Sequence, residues 1–257
     1  MIYYHAIFLY KGVKMSARLI VIEGTDGSGK ETQSKKLESY LQEKGYKVKK
    51  YSFPVYSSPT GKIVGGPYLG KPEINESYFP ETSAFVDPLV SSLYYAADRR
   101  YNFLTEIESE MENNDVVILD RYTTSNMGHQ IGKAKTKEQA EKILRFIETL
   151  EFDLCELPRP DLVVFLHMPF EASRELRKDR AFGDGNENNE EHLRNAEKTY
   201  VDLAKRMNWH YINCLKTDTY SELGDIKTID EISEEVISAS LECIKGKESP
   251  VMKMTRF

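Results

Sequence analysis

Residues 18–30 read RLIVIE and then GTDGSGK. The first six residues have the apolar composition of a buried strand, and the next seven fit G-x-x-x-x-G-K, the pattern of a loop that wraps phosphate groups. Residues 31–44 follow with Leu37 and Leu41 one turn apart among charges and close at Gly45, which predicts a helix with Gly45 at its C′ position. A strand, a glycine-rich turn and a helix in this order aim backbone N–H groups and the positive end of a helix at an anion. Gly24, Gly27 and Gly29 allow close approach to that anion, with Ser28 between them, and Lys30 adds a mobile charge for the outer phosphates. One position departs from the general motif. Glu31 stands where a Ser or Thr hydroxyl is wanted for magnesium, and Thr32 comes one residue late, turned by about 100° on a helix.

Four further segments carry strand signals: residues 47–53, the VVILD run at 116–120, the LVVFLH run at 162–167, and residues 210–214. Between them lie helical patterns. Asp87 followed by Pro88 is a cap and first-turn pair that opens a long helix to about residue 113. Thr136 with Gln139 is a capping-box pattern for a helix over 137–151, and a closing helix is expected over 231–244. Residues 54–72, rich in Pro and Gly, are expected to form a loop with one short helix. Strands alternating with helices, with near-continuous apolar strands, predict an α/β chain: a three-layer P-loop NTPase fold with a five-stranded parallel sheet flanked by helices. Asp120, at the end of the third strand, is either a magnesium carboxylate or a capping carboxylate.

At 257 residues and 40% apolar content the chain can bury one full core. Its formal charge of -6, from 41 acidic and 35 basic residues, gives no basic field for a nucleic-acid polymer. Cys155, Cys214 and Cys243 are widely spaced and outside any CxxC pair, so neither a disulfide framework nor a zinc site is indicated, and a reducing cytoplasm fits. Residues 1–15 are too short for a membrane span and lack a charged n-region and cleavage site, so they read as an N-terminal extension to one domain over 16–257. Met15 directly precedes the first strand and is an alternative start.

Three blocks add to the phosphate loop: Phe53-Pro54, then Tyr95-Ala96-Ala97-Asp98-Arg99, then Asp120-Arg121-Tyr122-Thr123-Thr124-Ser125-Asn126. Leu157-Pro158-Arg159-Pro160-Asp161 precedes the fourth strand. In order and spacing, from about Arg18 to Cys214, the set resembles the thymidylate kinase family. The resemblance implies transfer of the γ-phosphoryl group of ATP to dTMP with Mg2+, small nucleotides as partners, and a homodimer through the long helices. It places Tyr95 as the platform under the thymine ring, with Arg99 one helical turn on as a donor to a thymine carbonyl. Phe53 belongs to the same pocket. Arg121 would grip the monophosphate, Ser125 and Asn126 would line the base edge, and His129 would lie near the deoxyribose. Asp26 would stand near the sugar 3′-hydroxyl and the acceptor phosphate and is counted with Asp120 as a metal carboxylate.

Departures from the family pattern are equally specific. Val55, followed by Tyr56, replaces a common arginine two residues after the Phe-Pro phenylalanine, and the phosphate loop contains no arginine. Arg174, Arg177, Lys178 and Arg180 instead precede residues 181–189, which resemble the family's lid (the lid as a whole lying around 177–189) and in which Asp184-Gly185-Asn186-Glu187 has Asn for His. Phosphoryl transfer depends on positioning and charge neutralisation, so Lys30, Asp26, Arg121, Arg177 and Arg180 are the expected catalytic set. Two alternatives remain: another P-loop phosphotransferase such as a deoxynucleoside kinase, and a non-catalytic nucleotide-binding regulator.

Overall fold

In the computed structural model, which describes residues 17–178 and 189–246, five apolar segments pair as one parallel sheet. They are β1 (Arg18–Gly24), β2 (Val48–Ser52), β3 (Val116–Asp120), β4 (Leu162–His167) and β5 (His210–Asn213), in the spatial order β2-β3-β1-β4-β5. β1 is central, with Ile22 opposite Asp120 on one side and Val164 on the other. Successive side chains leave opposite faces of a strand, so both faces of β1 need cover. Leu19 and Val21 enter one apolar cluster with Phe103, Met127, Ile147 and Tyr200, while Ile20 and Ile22 enter another with Leu37, Leu41 and Val236. The first face is covered by α5 (Thr123–Ile131), α6 (Lys137–Glu148) and α8 (Glu190–Arg206), the second by α1 (Lys30–Glu43) and α9 (Ile229–Ile244). These are the three layers expected.

Local chemistry sets most boundaries. α3 (Pro88–Asn102) opens where Asp87 Oδ1 accepts from the N–H groups of Leu89 at 2.9 Å and Val90 at 3.1 Å. α6 opens where Thr136 accepts from Gln139 N at 3.2 Å, but the Gln139 side chain reaches back to Lys135 N rather than to the cap residue itself. The closing helix starts at Ile229, two residues before the expected 231, because Thr228 and Glu231 form a reciprocal capping box.

Three π-helical turns depart from the sequence pattern. The long helix expected from 87 to 113 is interrupted at Phe103–Ile107 before α4 (Glu108–Asn113), and the one expected over 137–151 gives way at Thr149–Leu154. The expected loop over 54–72 holds α2 (Pro59–Ile63) and a π turn, Val64–Tyr68, containing Pro67, whose missing N–H weakens the ordinary helical ladder. α5 was not anticipated, because a Thr-Thr-Ser-Asn start without a capping side chain looks like a turn. α7 (Phe170–Leu176) follows β4. Since all strands run parallel, Gly24, Ser52 and Asp120 end at one edge of the sheet, where a ligand crevice forms.

Candidate active site

A cleft of about 510 Å³ opens at that edge. Of the phosphate loop, Asp26, Gly27, Gly29, Lys30, Glu31 and Thr32 line it. Gly27 and Gly29 have φ of 78° and 83°, and a Cβ on Gly27 would meet Ser173 Oγ at 2.8 Å, so glycine is required there for conformation and for space. Gly24 and Ser28 lie behind the cleft wall: a Cβ on Gly24 would meet Leu166 O at 2.6 Å, and the Ser28 hydroxyl is buried without a hydrogen-bond partner. Glu31 is turned to the surface, paired with Lys35 at 2.5 Å.

Lys30 Nζ donates to the carbonyl oxygens of Gly24 at 3.0 Å and Thr25 at 2.9 Å and stands 3.9 Å from Asp26 Oδ1. Arg121 Nη2 donates to the same carboxylate oxygen at 2.6 Å. Arg121 follows β3 with φ of 66°, a left-handed conformation that costs a non-glycine residue energy and that recurs where function demands a fixed side-chain direction. Burial acts to raise the Asp26 pKa, but Arg121 and Lys30 outweigh it and hold the carboxyl well below the usual carboxylate range. Burial, helped by the Arg121 charge, pushes the Lys30 ammonium down to about 8.

That value gives Lys30 a pH signature. A polyphosphate favours the charged amine, so the affinity Lys30 contributes is complete only well below pH 8 and is lost progressively as its proton leaves at higher pH. Calorimetric Kd values for ATP should rise severalfold between pH 7 and pH 9.5, and less in Lys30→Arg. A pH-independent Kd over that range would show that Lys30 does not face the nucleotide.

Asp120 is 7% exposed at the cleft, with Ser52 Oγ 3.4 Å from its carboxylate. Among the described residues no group of three or more His, Cys, Asp or Glu is arranged around a metal point. Magnesium in phosphoryl-transfer sites is held by one or two carboxylates plus substrate phosphates, so Asp120, beside the phosphate loop, fits that demand without such a cage. Thr32 lines the same cleft.

Phe53, Tyr95, Arg99, Ser125, Asn126 and His129 all line the cleft, which brings together the residues expected at the acceptor. Their partners were not foreseen. Arg99 is buried and bidentate to Glu151, Nε to Oε2 at 2.5 Å and Nη2 to Oε1 at 2.6 Å, while Nη1 donates to Tyr122 O at 3.3 Å. Glu151 sits in the third π turn, where no helical periodicity would have found it. Asn126 Nδ2 also donates to Glu151, at 2.9 Å, leaving Asn126 Oδ1 without a partner. Ser125 lines the cleft with its hydroxyl engaged: it and the Thr124 hydroxyl both donate to Glu23 Oε2 at 2.7 Å, and Glu23 is fully buried near the end of β1.

Gln130 was missed although it lies one turn after Asn126 on α5. It lines the cleft, and neither its amide oxygen nor its amide nitrogen has a partner. His129 stacks on His192 with ring centroids 5.3 Å apart and Nδ1 3.2 Å from Nε2, and burial pushes its pKa well below 6.5, so the ring is neutral. Arg177, just after α7, lines the cleft while its Nε donates to Ser173 O at 3.2 Å. The Ser173 hydroxyl donates to Asp26 O, tying α7 to the phosphate loop. Arg180, with Asn186 and most of the expected lid, lies outside the described residues, as do residues 1–15.

The family model described as thymidylate kinase matches residues 22–219, a span that contains every residue just placed around the cleft. The chain belongs to the thymidylate kinase family. It is therefore an enzyme, a nucleoside monophosphate kinase. The thymidylate kinase of Prochlorococcus marinus subsp. pastoris is 30% identical over 87% of this chain and 96% of its own length. A probable thymidylate kinase of Sulfurisphaera tokodaii is 25% identical over 88% of this chain and 98% of its own. Among solved structures, the thymidylate kinase of Candida albicans shares the fold at 22% identity, with a TM-score of 0.63 and coverage of 91% of this chain and 93% of that one. Glu31 lines the cleft, and Val55 lies between Pro54 and Tyr56, which line it too.

Proposed function

We propose that this chain transfers the γ-phosphoryl group of ATP to dTMP, giving dTDP and ADP, with the expected residues in the roles assigned above. The observation that carries this reading is a single cleft lined at once by the phosphate loop and by an aromatic platform with unpartnered buried amides. Lys30 and the N-terminal turn of α1 neutralise the ATP phosphates, and Arg121, fixed by Asp26, holds the acceptor phosphate in line. Asp120 would hold magnesium, which when bound would supply charge neutralisation on the transferring group. Arg177, which lines the cleft, supplies a further cation to the transferring group, and Arg180 is the second expected cation. A deoxynucleoside kinase is disfavoured by a guanidinium fixed where a second phosphate would lie.

At the base, Tyr95 offers its face, Arg99 is aligned by Glu151, and the Asn126 and Gln130 amides supply both donor and acceptor groups. A thymine imide satisfies such a set; a cytosine edge leaves a buried group unpaired, at about 1–3 kcal/mol each. A coupled assay with ATP, magnesium and a panel of monophosphates tests this. The specificity constant should be highest for dTMP, and Gln130→Leu should lower it roughly tenfold or more while leaving the Kd of ATP unchanged. Equal use of dCMP, dAMP or dGMP would remove the proposed pocket.

The three cysteines are all free thiols, and no helix of the described residues is long and apolar enough to cross a membrane, which supports a cytoplasmic setting. Val90, Leu93 and Tyr101 on α3 and Leu104 just beyond it are 39%, 51%, 40% and 48% exposed. Their spacing marks one helix face, which supports burial against a second copy of the chain. Light scattering at micromolar concentration should read a dimer; a monomer would reject this part.

A further inference from the structure

We infer that Ser173 is a positioning residue for phosphoryl transfer: its hydroxyl ties the Arg177 guanidinium to Asp26, the same phosphate-loop residue that fixes Arg121. The inference rests on the reading of Arg177 as a cation for the transferring group. A serine inside a helix commonly turns its hydroxyl back to the carbonyl one turn earlier. Ser173 does otherwise. Its hydroxyl donates to Asp26 O, across 147 positions of the chain, while Pro169 O one turn earlier accepts from the Ser173 N–H at 2.9 Å. The same hydroxyl oxygen accepts from Arg177 Nε at 3.1 Å. A hydroxyl has one proton to give and lone pairs to receive with, so this one joins two partners that do not bond each other.

Both partners line the cleft. Asp26 holds Arg121 through its carboxylate at 2.6 Å and Ser173 through its carbonyl, so the side chain and the main chain of one loop residue each fix the place of a cation. Arg177 stands one turn after Ser173 at the end of α7, and its bonds to the Ser173 oxygens, at 3.1 Å and 3.2 Å, use Nε and neither Nη group. A guanidinium anchored in this way presents its Nη groups from a fixed plane, the geometry that suits phosphate oxygens. The start of α7 is referenced to the loop as well: Thr25 Oγ1 donates to Met168 O at 2.6 Å and accepts from Met168 N at 3.0 Å. Ser173 is buried directly against Gly27, the glycine at which a side chain would collide with it. In-line transfer needs the charges around both phosphates at a set separation, and a displacement of about 1 Å can cost about a hundredfold in rate. One hydroxyl on the loop sets that separation here.

A double-mutant cycle in kcat tests the assignment, with Ser173→Ala, Arg177→Ala and the double variant assayed with ATP, magnesium and the monophosphate that the parent uses best. Arg177→Ala should lower kcat about tenfold or more, and Ser173→Ala about fivefold to tenfold with KM for ATP within about twofold of the parent. The double variant should match Arg177→Ala alone, because Ser173 acts through that guanidinium. Losses that multiply in the double variant would mean that Ser173 serves the phosphate loop without Arg177, and would overturn the inference. An unchanged kcat in Ser173→Ala, beside a lowered one in Arg177→Ala, would overturn it too. If Arg177→Ala alone keeps the parent kcat, the reading of Arg177 as a cation fails first and the role of Ser173 falls with it. The identity of the preferred base does not enter the cycle.

Discussion

Lys30→Ala should lose roughly a thousandfold or more in kcat with little change in thermal stability. The side chain is buried and donates to the Gly24 and Thr25 carbonyls at the floor of the phosphate loop. Its charge meets the nucleotide most strongly when negative charge builds on the transferring group, so the loss falls on kcat more than on ground-state affinity. The fold should survive because burial already disfavours the charged amine, so truncation removes that cost as well as two hydrogen bonds that water at the cleft can replace. Arg177→Ala, which removes a cation at the lid side of the same cleft, should cost less than Lys30→Ala but again in kcat. Near-normal turnover by a folded Lys30→Ala protein would falsify the phosphate-loop mechanism.

Glu151→Ala is expected to be the most destabilising single change at the site, by about 3–5 kcal/mol, because it strands a buried guanidinium. Glu151 is fully buried and its two oxygens accept from Arg99 and from Asn126, so truncation leaves Arg99 charged, with Tyr122 O still accepting at 3.3 Å. For a domain of this size the melting temperature should fall by about 10 °C. Replacing both partners by apolar residues, Glu151→Leu with Arg99→Met, should recover much of that stability, since neither charge then remains buried. Binding of dTMP should not recover, because the base-facing donor is gone. A Glu151→Ala protein melting within 2 °C of the parent would show that the pair contributes little to the fold.

Legibility of the site followed the range of each interaction. The phosphate loop was readable because its parts are adjacent: apolar β1, the glycines and the first turn of α1 lie within a few residues of one another. The blocks carrying Tyr95, Arg99, Arg121 and Asn126 were readable one at a time for the same reason. The hydroxyl partner of Ser125 was not readable because Glu23 is 102 positions away in the chain.

Apolar runs, capping chemistry and the glycine motif therefore determined the five strands, most helices and the phosphate loop from sequence alone, since each depends on neighbours along the chain. Tertiary structure alone decided which polar groups meet. Arg99 reaches Glu151 across 52 positions and Arg121 reaches Asp26 across 95. It also decided the π turns at Val64–Tyr68, Phe103–Ile107 and Thr149–Leu154. A π turn adds a residue to the helical repeat and rotates everything after it, so the side chains it delivers, Glu151 to Arg99 and Lys71 to the cleft, follow no period that a sequence displays. Buried polar groups must find partners somewhere, but packing of the whole sheet and its covering helices chooses where.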